Sequence, residues 1–164
     1  MATIKNMDSN LLRAEELGIR LEIVEGLPVW EASPLIRHQI AIDRIRESIK
    51  KPGESCACFH VSDIYIQFPD GSLKRPDISI FCKEPSETDE AVTQIPDAVI
   101  EIISKGYEKK DLEVGIPFYR THGVKDVVVF NPYTMEVMHF RGDEVLKSSS
   151  PTRIDFACGC SCEV

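Results

Sequence analysis

Two continuous apolar runs constrain the fold of this chain more than any other feature of its sequence. They are DAVIEIIS at residues 97–104 and KDVVVFNP at residues 125–132. Short runs rich in β-branched residues, without regular alternation of polar side chains, are typical of strands that are buried on both faces. Such strands need packed layers on both sides of one sheet, so we expect a mixed α/β domain.

Further strands and helices are predicted around this sheet. The segment IRLEIVEGLPVW at 19–30 predicts a hairpin that turns at Glu25-Gly26. CACFHV, DIYIQF, RPDISIFC and, after an Asn-Pro turn, MEVMHFRG predict strands. We therefore expect one α/β (α+β) domain over residues 1–164, with a central mixed sheet flanked by helices. A short cysteine-containing tail is expected at 148–164.

Three helices are expected. One lies within residues 1–20, and another lies within 105–123, where Gly115 and Pro117 interrupt the pattern. The strongest helical pattern begins at Leu35. Its apolar residues fall mostly on one face, which is expected to pack on the sheet: Ile36, Ile40, Ile42, Ile45 and Ile49.

Composition narrows the classes of function. The chain has 164 residues, of which 43% are hydrophobic, which suits one domain with a real core. It shows no signal-peptide pattern and no apolar stretch of membrane-spanning length, so we expect a cytoplasmic protein without a membrane partner. The net charge of -8 argues against a broad nucleic-acid coat, although a local basic rim is compatible with it.

Two carboxylates stand within predicted buried strands: Asp77 in RPDISIF and Glu101 in PDAVIEIIS. Burying an ionised carboxylate is costly unless a cation or hydrogen bonds compensate it. Two acids on neighbouring strands can hold Mg²⁺, which prefers oxygen ligands and keeps several waters. The alternative is that both are ordinary hydrogen-bonded or solvent-facing carboxylates.

Five segments, in this order, resemble the PD-(D/E)XK nuclease superfamily and, more closely, the Uma-two family of putative restriction endonucleases. Together they cover most of the chain: RLEIVEG, SPLIRHQIAIDRI, RPDISIF, PDAVIEIIS and DLEVGIPFYRTHGVKDVVVFNP.

The resemblance implies a restriction-endonuclease-like core in which Asp77 and Glu101 bind Mg²⁺, with Mn²⁺ as a substitute. The backbone carbonyl after Glu101 is a further candidate ligand. The implied activity is hydrolysis of phosphodiester bonds in DNA, with double-stranded DNA as the expected substrate. Nucleases of this superfamily that cut both strands commonly work as dimers, so a homodimer is expected.

The sequence departs from the family at the catalytic lysine. The superfamily places a lysine two residues after the glutamate, where this chain has Ile103. The nearer family tends to place one four residues before a tyrosine, where this chain has Gly115. Lys105, Lys109 and Lys110 lie upstream, and Lys110 is our candidate. The alternative is that all three are surface charges and that the domain is a catalytically weakened nuclease-fold binding module.

Two further residues are candidate accessories. The resemblance places His38, near the start of the long helix, beside the active site, whereas the alternative is a histidine that caps or packs on its own helix. Glu22 lies in a strand that is expected to pass near Asp77 and would supply a third acid. Its alternative is an outward-facing position, because apolar residues alternate around it.

The six cysteines offer a different function. Thiolates bind Zn²⁺ or Cu⁺, and Cys56 and Cys58 would share one face of a strand. Their spacing is tighter than that of common zinc sites, and the absence of a secretion signal disfavours a disulfide framework. The alternatives are a thiol-based metal- or redox-responsive protein, or an exposed oxidisable tail at Cys158, Cys160 and Cys162. Cys82 is expected to be a small core residue.

Overall fold

A computed structural model describes residues 9–108 and 110–164 of the chain. The helical elements are α1 (Ser9–Glu16), α2 (Ile36–Ser48), a π-helical turn (Lys110–Gly115) and α3 (Ile116–Thr121). The strands before the π-helical turn are β1 (Leu21–Val24), β2 (Leu27–Trp30), β3 (Phe59–Ser62), β4 (Ile66–Gln67), β5 (Leu73–Lys74), β6 (Ile78–Phe81) and β7 (Ala98–Ile102). Those after it are β8 (Asp126–Phe130), β9 (Glu136–Arg141), β10 (Glu144–Ser149), β11 (Arg153–Asp155) and β12 (Ser161–Glu163).

The main sheet has six strands in the order β10-β9-β8-β7-β6-β3. Strands β7 and β8 are parallel, and the other neighbours are antiparallel, so the sheet is mixed. Every residue of β7 and β8 is buried. This confirms that the two apolar runs form central strands and that the chain has a mixed α+β fold.

A smaller antiparallel sheet in the order β2-β1-β5-β4 lies beside the main one. Strands β1 and β2 form the predicted hairpin, and both Glu25 and Gly26 at its tip have positive φ, as a two-residue hairpin loop requires. Helix α1 packs on this sheet through Leu11, which is fully buried. The predicted first helix is thus present from residue 9, and residues 1–8 lie outside the described part of the chain. No described helix has both the length and the apolar character needed to cross a membrane.

Helix α2 has two apolar faces rather than one. Ile42 and Ile45 are buried in the main core, as predicted. Ile36 and Ile40 are instead 79% and 44% exposed, so these two members of the expected apolar face lie outside the packed stripe. The small Ala41 takes the neighbouring buried position, which turns the packed stripe away from Ile36 and Ile40.

The C-terminal segment is structured, contrary to the expected short tail. Strand β10 extends the main sheet to Ser149, and β11 and β12 form a separate hairpin. Cys160 and Cys162 of this segment are buried in the main core together with apolar side chains of the hairpin. The expectation of an exposed thiol cluster at the C-terminus was therefore wrong, because the hairpin packs on α2 and completes the core.

The cysteines are also paired. The structure joins Cys56 to Cys82 and Cys58 to Cys160 as disulfides. This corrects two expectations, namely that the cysteines form no disulfide framework and that Cys82 is an isolated core residue. The convergence was hidden in the sequence because Cys58 and Cys160 are 102 residues apart and meet only when the hairpin docks beside β6.

Asp126, at the start of β8, is a buried acid that hydrogen-bonds to neighbouring parts of the chain. Its carboxylate accepts hydrogen bonds from His139 Nε2 and Arg141 Nε, both at 2.7 Å, and from the Ala157 amide at 2.9 Å. Burial would raise the pKa of Asp126, but these donors outweigh it and lower the pKa below its ordinary value. The ionised carboxylate therefore joins β8, β9 and the C-terminal segment.

We expect acid to destabilise the protein partly through Asp126. Because its folded-state pKa is lowered, the ionised form contributes stability above the ordinary value of 3.8, and this is lost as pH falls through the folded-state pKa. Urea unfolding measured between neutral pH and about pH 2 should show that the free energy of unfolding falls less on acidification for Asp126→Asn than for the wild-type protein. The exposed Asp143→Asn is the matched control, and equal acid-side slopes for all three proteins would contradict the assignment.

Candidate active site

The pairing of β6 with β7 brings Asp77 and Glu101 together. Asp77 immediately precedes β6, and the antiparallel register of Ile78 with Ile100 sets it opposite Glu101. The Ile102 amide donates to Asp77 Oδ2 at 2.7 Å, and the Asp77 amide lies 3.4 Å from Glu101 Oε2. Local β-pairing therefore holds both carboxylates at one end of two central strands.

Glu101 is held in place from the side of α3. Its Oε1 accepts a hydrogen bond of 2.7 Å from the hydroxyl of Tyr119, which is fully buried. Burial, followed by the negative charges of Asp77 and Asp111, raises the pKa of Glu101 well above its usual range. The site therefore brings several acids together with little access to water, and this disfavours ionisation of Glu101.

His38 reaches the same carboxylate pair from α2. Its Nε2 lies 3.1 Å from Asp77 Oδ1, and both side chains are largely buried. Burial would lower the pKa of His38, but the hydrogen bond and charge of Asp77 outweigh it and raise that pKa. The structure thus brings His38 to Asp77, and the alternative of a histidine that only caps or packs on its own helix does not describe its position.

Asp111, in the π-helical turn, is a third acid of this pocket that sequence reasoning missed. It is 7% exposed and lines the pocket with Asp77 and Glu101. Burial is the main cause that raises the pKa of Asp111 to about 7; Lys110 opposes the increase, and the charges of Asp77 and Glu22 add to it. No strand pattern indicated that Asp111 is buried, because it lies in the segment where Gly115 and Pro117 interrupt the helical pattern.

Lys110 points into the pocket rather than into solvent. Its Nζ lies 3.5 Å from Glu22 Oε2 and 3.9 Å from Glu31 Oε1. Burial would lower the pKa of Lys110, but the charges of Glu22, Glu101 and Glu31 raise it. The amine is therefore a protonated cation at neutral pH. Lys105 is exposed, and Lys109 lies outside the described residues.

The π-helical turn explains how Lys110 reaches the site. Regular α-helical geometry sets Lys110 about one and a quarter turns from Gly115, so we expected the two positions to diverge. In a π-helix, residues five apart are joined through the backbone and lie close together. A side chain at Gly115 would meet the Lys110 carbonyl at 3.6 Å and Tyr119 Cε2 at 3.9 Å. Gly115 and Lys110 are therefore neighbours beside the site.

Glu22 is the centre of a buried ionic network, not an outward-facing residue. It is fully buried, and Lys74 Nζ lies 2.6 Å from Oε2 while the Arg75 amide donates to Oε1 at 2.7 Å. Burial opposes ionisation, but Lys74 and Lys110 lower the pKa of Glu22 to about 2. The alternation of apolar residues around Glu22 indicated an outward-facing side chain, but both faces of β1 are covered.

Glu31, at the edge of this network, was also missed. Burial and the nearby charge of Glu22 raise the pKa of Glu31 to about 8. Its Oε1 is buried and accepts no hydrogen bond from the described residues. It lines the pocket together with Lys110, so the pocket wall contains an unsatisfied polar atom that a water or a polar ligand would satisfy.

The pocket suits a small hydrated cation. It offers about 40 Å³ to water-sized molecules, which is room for an ion or a few waters. Asp77 and Glu101 supply two carboxylates, the number by which proteins usually hold Mg²⁺. The charges that raise the pKa of Glu101 would be offset by a divalent cation between these acids. The donor set therefore fits Mg²⁺ or Mn²⁺.

Two of the residues that build this site carried weak sequence signals. Tyr119 was visible only as the tyrosine of the family pattern. Lys74, which is 1% exposed, follows a Pro-Asp-Gly turn and carries no mark of burial. Its Nζ lies 5.1 Å from the centre of the Tyr119 ring, so one lysine contacts both the Glu22 network and the residue that holds Glu101.

The fold and the site together define a nuclease-like domain. The Uma2 (Uma-two) family, described as "Putative restriction endonuclease", matches residues 8–154, and the chain belongs to this family. Its fold is similar to that of a crystal structure described as a putative nuclease belonging to DUF820 from Anabaena variabilis ATCC 29413. The TM-score is 0.62 at 20% identity, over 82% of this chain and 79% of that one. A comparison with curated proteins found no match.

Proposed function

We propose that this protein is a Mg²⁺-dependent endonuclease that hydrolyses phosphodiester bonds of double-stranded DNA. The observation that carries the proposal is the meeting of Asp77, Glu101 and the Lys110 ammonium group in one pocket, at the end of two central strands. Membership of a family described as "Putative restriction endonuclease" supports the same reaction class.

Each residue has a distinct role in this proposal. Asp77 and Glu101 would hold the metal ion, and a bound Mg²⁺ would lower the pKa of a coordinated water and stabilise charge on the phosphate. The 3.1 Å contact of His38 Nε2 with Asp77 and the hydrogen bond from Tyr119 to Glu101 restrain the orientation of the two carboxylates. Lys110, protonated at neutral pH, would donate hydrogen bonds to the attacking water or to a phosphate oxygen. It acts as a fixed positive charge rather than as a base.

The test is a cleavage assay on supercoiled plasmid and on single-stranded DNA with Mg²⁺, with Mn²⁺ and with a chelator. We expect metal-dependent cutting of the plasmid by the wild-type protein and none with the chelator. Absence of cutting by folded protein with either metal would overturn the proposal and favour a nuclease-fold binding module. We also predict a homodimer, to be measured by light scattering, and a cytoplasmic location.

The proposed role of Lys110 predicts that its removal slows cleavage and that a lysine at a neighbouring position restores part of the rate. Lys110→Ala should reduce the cleavage rate by about 100-fold or more, because one preorganised donor at developing charge is worth this much. Adding Gly115→Lys should restore part of the rate, because position 115 adjoins Lys110 and has only ordinary contacts for a new side chain. The measurement is single-turnover plasmid cleavage at saturating Mg²⁺.

Lys105→Ala is the matched control, since Lys105 is exposed and lies in the same segment. It should cleave at the wild-type rate. Full activity of Lys110→Ala, or an equal loss in Lys105→Ala, would remove Lys110 from the site. A loss that Gly115→Lys does not repair would leave Lys110 a supporting cation of the Glu22 network.

A further inference from the structure

Five sulphur atoms meet at the end of β6 opposite the carboxylate pocket. They come from three chain segments: Cys56 and Cys58 before β3, Cys82 directly after β6, and Cys158 and Cys160 between β11 and β12. Cys82 is five residues from Asp77 along a strand, or about 16 Å. The sulphur cluster is therefore separate from the proposed nuclease site, and the proposed function does not use it.

The sulphur atoms of different pairs are as close as metal ligands. Cys56 Sγ lies 3.5 Å from Cys160 Sγ and 3.8 Å from Cys58 Sγ. Zinc–sulphur bonds of about 2.3 Å in a tetrahedron place ligand sulphurs about 3.8 Å apart. Cys158 Sγ lies within 4.8 Å of the sulphurs of Cys56 and Cys160, at the edge of the same group. The two cross-pair distances from Cys56 thus match those between the ligands of a tetrathiolate centre.

The backbone around the cluster supports a built site. Cys58 has φ of 45°, a left-handed conformation that is uncommon outside glycine and that persists where the surrounding structure requires it. This bend lets the close spacing of Cys-Ala-Cys direct two sulphurs to one point. Cys56, Cys58 and Cys160 are each no more than 4% exposed, as the ligands of a closed structural site are.

Access also suits a metal site. A surface opening is lined by Cys56 and Cys82 together with charged residues of both signs: Lys51, Lys83, Glu54 and Glu84. The opening therefore gives a path for an ion into the cluster.

We propose that, in the reduced protein, Cys56, Cys58, Cys82 and Cys160 form a tetrathiolate site for Zn²⁺. Reduction of each disulfide by a phosphine or dithiol takes up two electrons and two protons and gives two thiols. The four thiols then release their protons as they bind the ion. The site ties the β11–β12 hairpin to the main sheet, so the metal stabilises the fold. The disulfides Cys56–Cys82 and Cys58–Cys160 are its oxidised, metal-free form.

The test uses the full chain, reduced with a phosphine, stripped of metal and kept without oxygen. Titration with Co²⁺ should saturate at one ion per chain and give the visible absorption bands of tetrahedral thiolate coordination. Zn²⁺ should displace Co²⁺, remove those bands and raise the melting temperature. Absence of Co²⁺ bands in the reduced, folded wild-type protein would overturn the proposal and leave a disulfide framework only.

Four single variants locate the ligands. Cys160→Ser should lose the bands, because Cys160 adjoins both Cys56 and Cys58. Cys162→Ala, which removes another buried cysteine of the same hairpin, should keep them. Cys158→Ser should also keep the Co²⁺ absorption bands, and Cys82→Ser should lose them. If Cys158→Ser lost the bands and Cys82→Ser kept them, the stated ligand set would be overturned. Circular dichroism and counts of reactive thiols with and without Zn²⁺ identify a variant that has simply unfolded.

Discussion

Glu101→Gln is expected to abolish metal-dependent DNA cleavage while leaving the protein folded and at least as stable as wild type. The amide keeps the shape of the side chain and an oxygen that can accept the Tyr119 hydrogen bond. It removes a carboxyl group whose ionisation is disfavoured by burial and by the charges of Asp77 and Asp111. It also removes a charged ligand from the proposed metal site. The contribution of such a metal is several kcal/mol, so the rate should fall at least about 100-fold.

Opposite effects on activity and stability distinguish a functional acid from a structural one. Cleavage of plasmid with Mg²⁺ and thermal unfolding without metal are the two measurements. Glu144→Gln, an exposed glutamate in β10, is the matched control and should change neither. Asp77→Asn should lose activity as Glu101→Gln does. A Glu101→Gln protein that cleaves normally would remove Glu101 from the catalytic machinery, and one that is strongly destabilised would make it a structural residue.

Lys74→Met should produce the largest loss of stability among single substitutions in the ionic network. Lys74 and Glu22 are 1% and 0% exposed, and their charged atoms are 2.6 Å apart. Methionine fills a similar volume but leaves the Glu22 carboxylate buried without its closest cation. Removing one partner of a buried ion pair costs about 3–5 kcal/mol. Since Lys110 remains 3.5 Å from Glu22, we expect the lower end of that range.

A double variant separates the cost of an unpaired charge from the cost of lost packing. Glu22→Gln combined with Lys74→Met should recover most of the loss, because the buried charge of Glu22 that Lys74→Met leaves without its closest cation is then absent. Urea unfolding of the two single variants and the double variant measures the coupling. Additive losses would show that the two charges do not stabilise each other. Lys83→Met, which changes an exposed lysine, should have little effect on stability.

Part of the candidate site is visible in the sequence because it depends on local pattern. Asp77 borders one apolar strand and Glu101 interrupts another, and neighbouring central strands can pair in few ways. His38 was found only through the resemblance of its helix to the family, and Lys110 only as one of three lysines. Asp111 could not be predicted, because its burial depends on a π-helical turn that ordinary helical periodicity does not describe.

The sequence by itself determined that two apolar runs become central strands, since only strands covered on both faces bury every residue of such runs. It also determined that two acids accompany that sheet. Only the tertiary structure decided what those acids meet: Tyr119 from α3, His38 from α2 and Lys110 from the π-helical turn. It alone brought the sulphurs of Cys56 and Cys160, 104 residues apart, to 3.5 Å. The physical reason is that periodicity reports which face of an element is buried, whereas partners across the core depend on how whole elements pack.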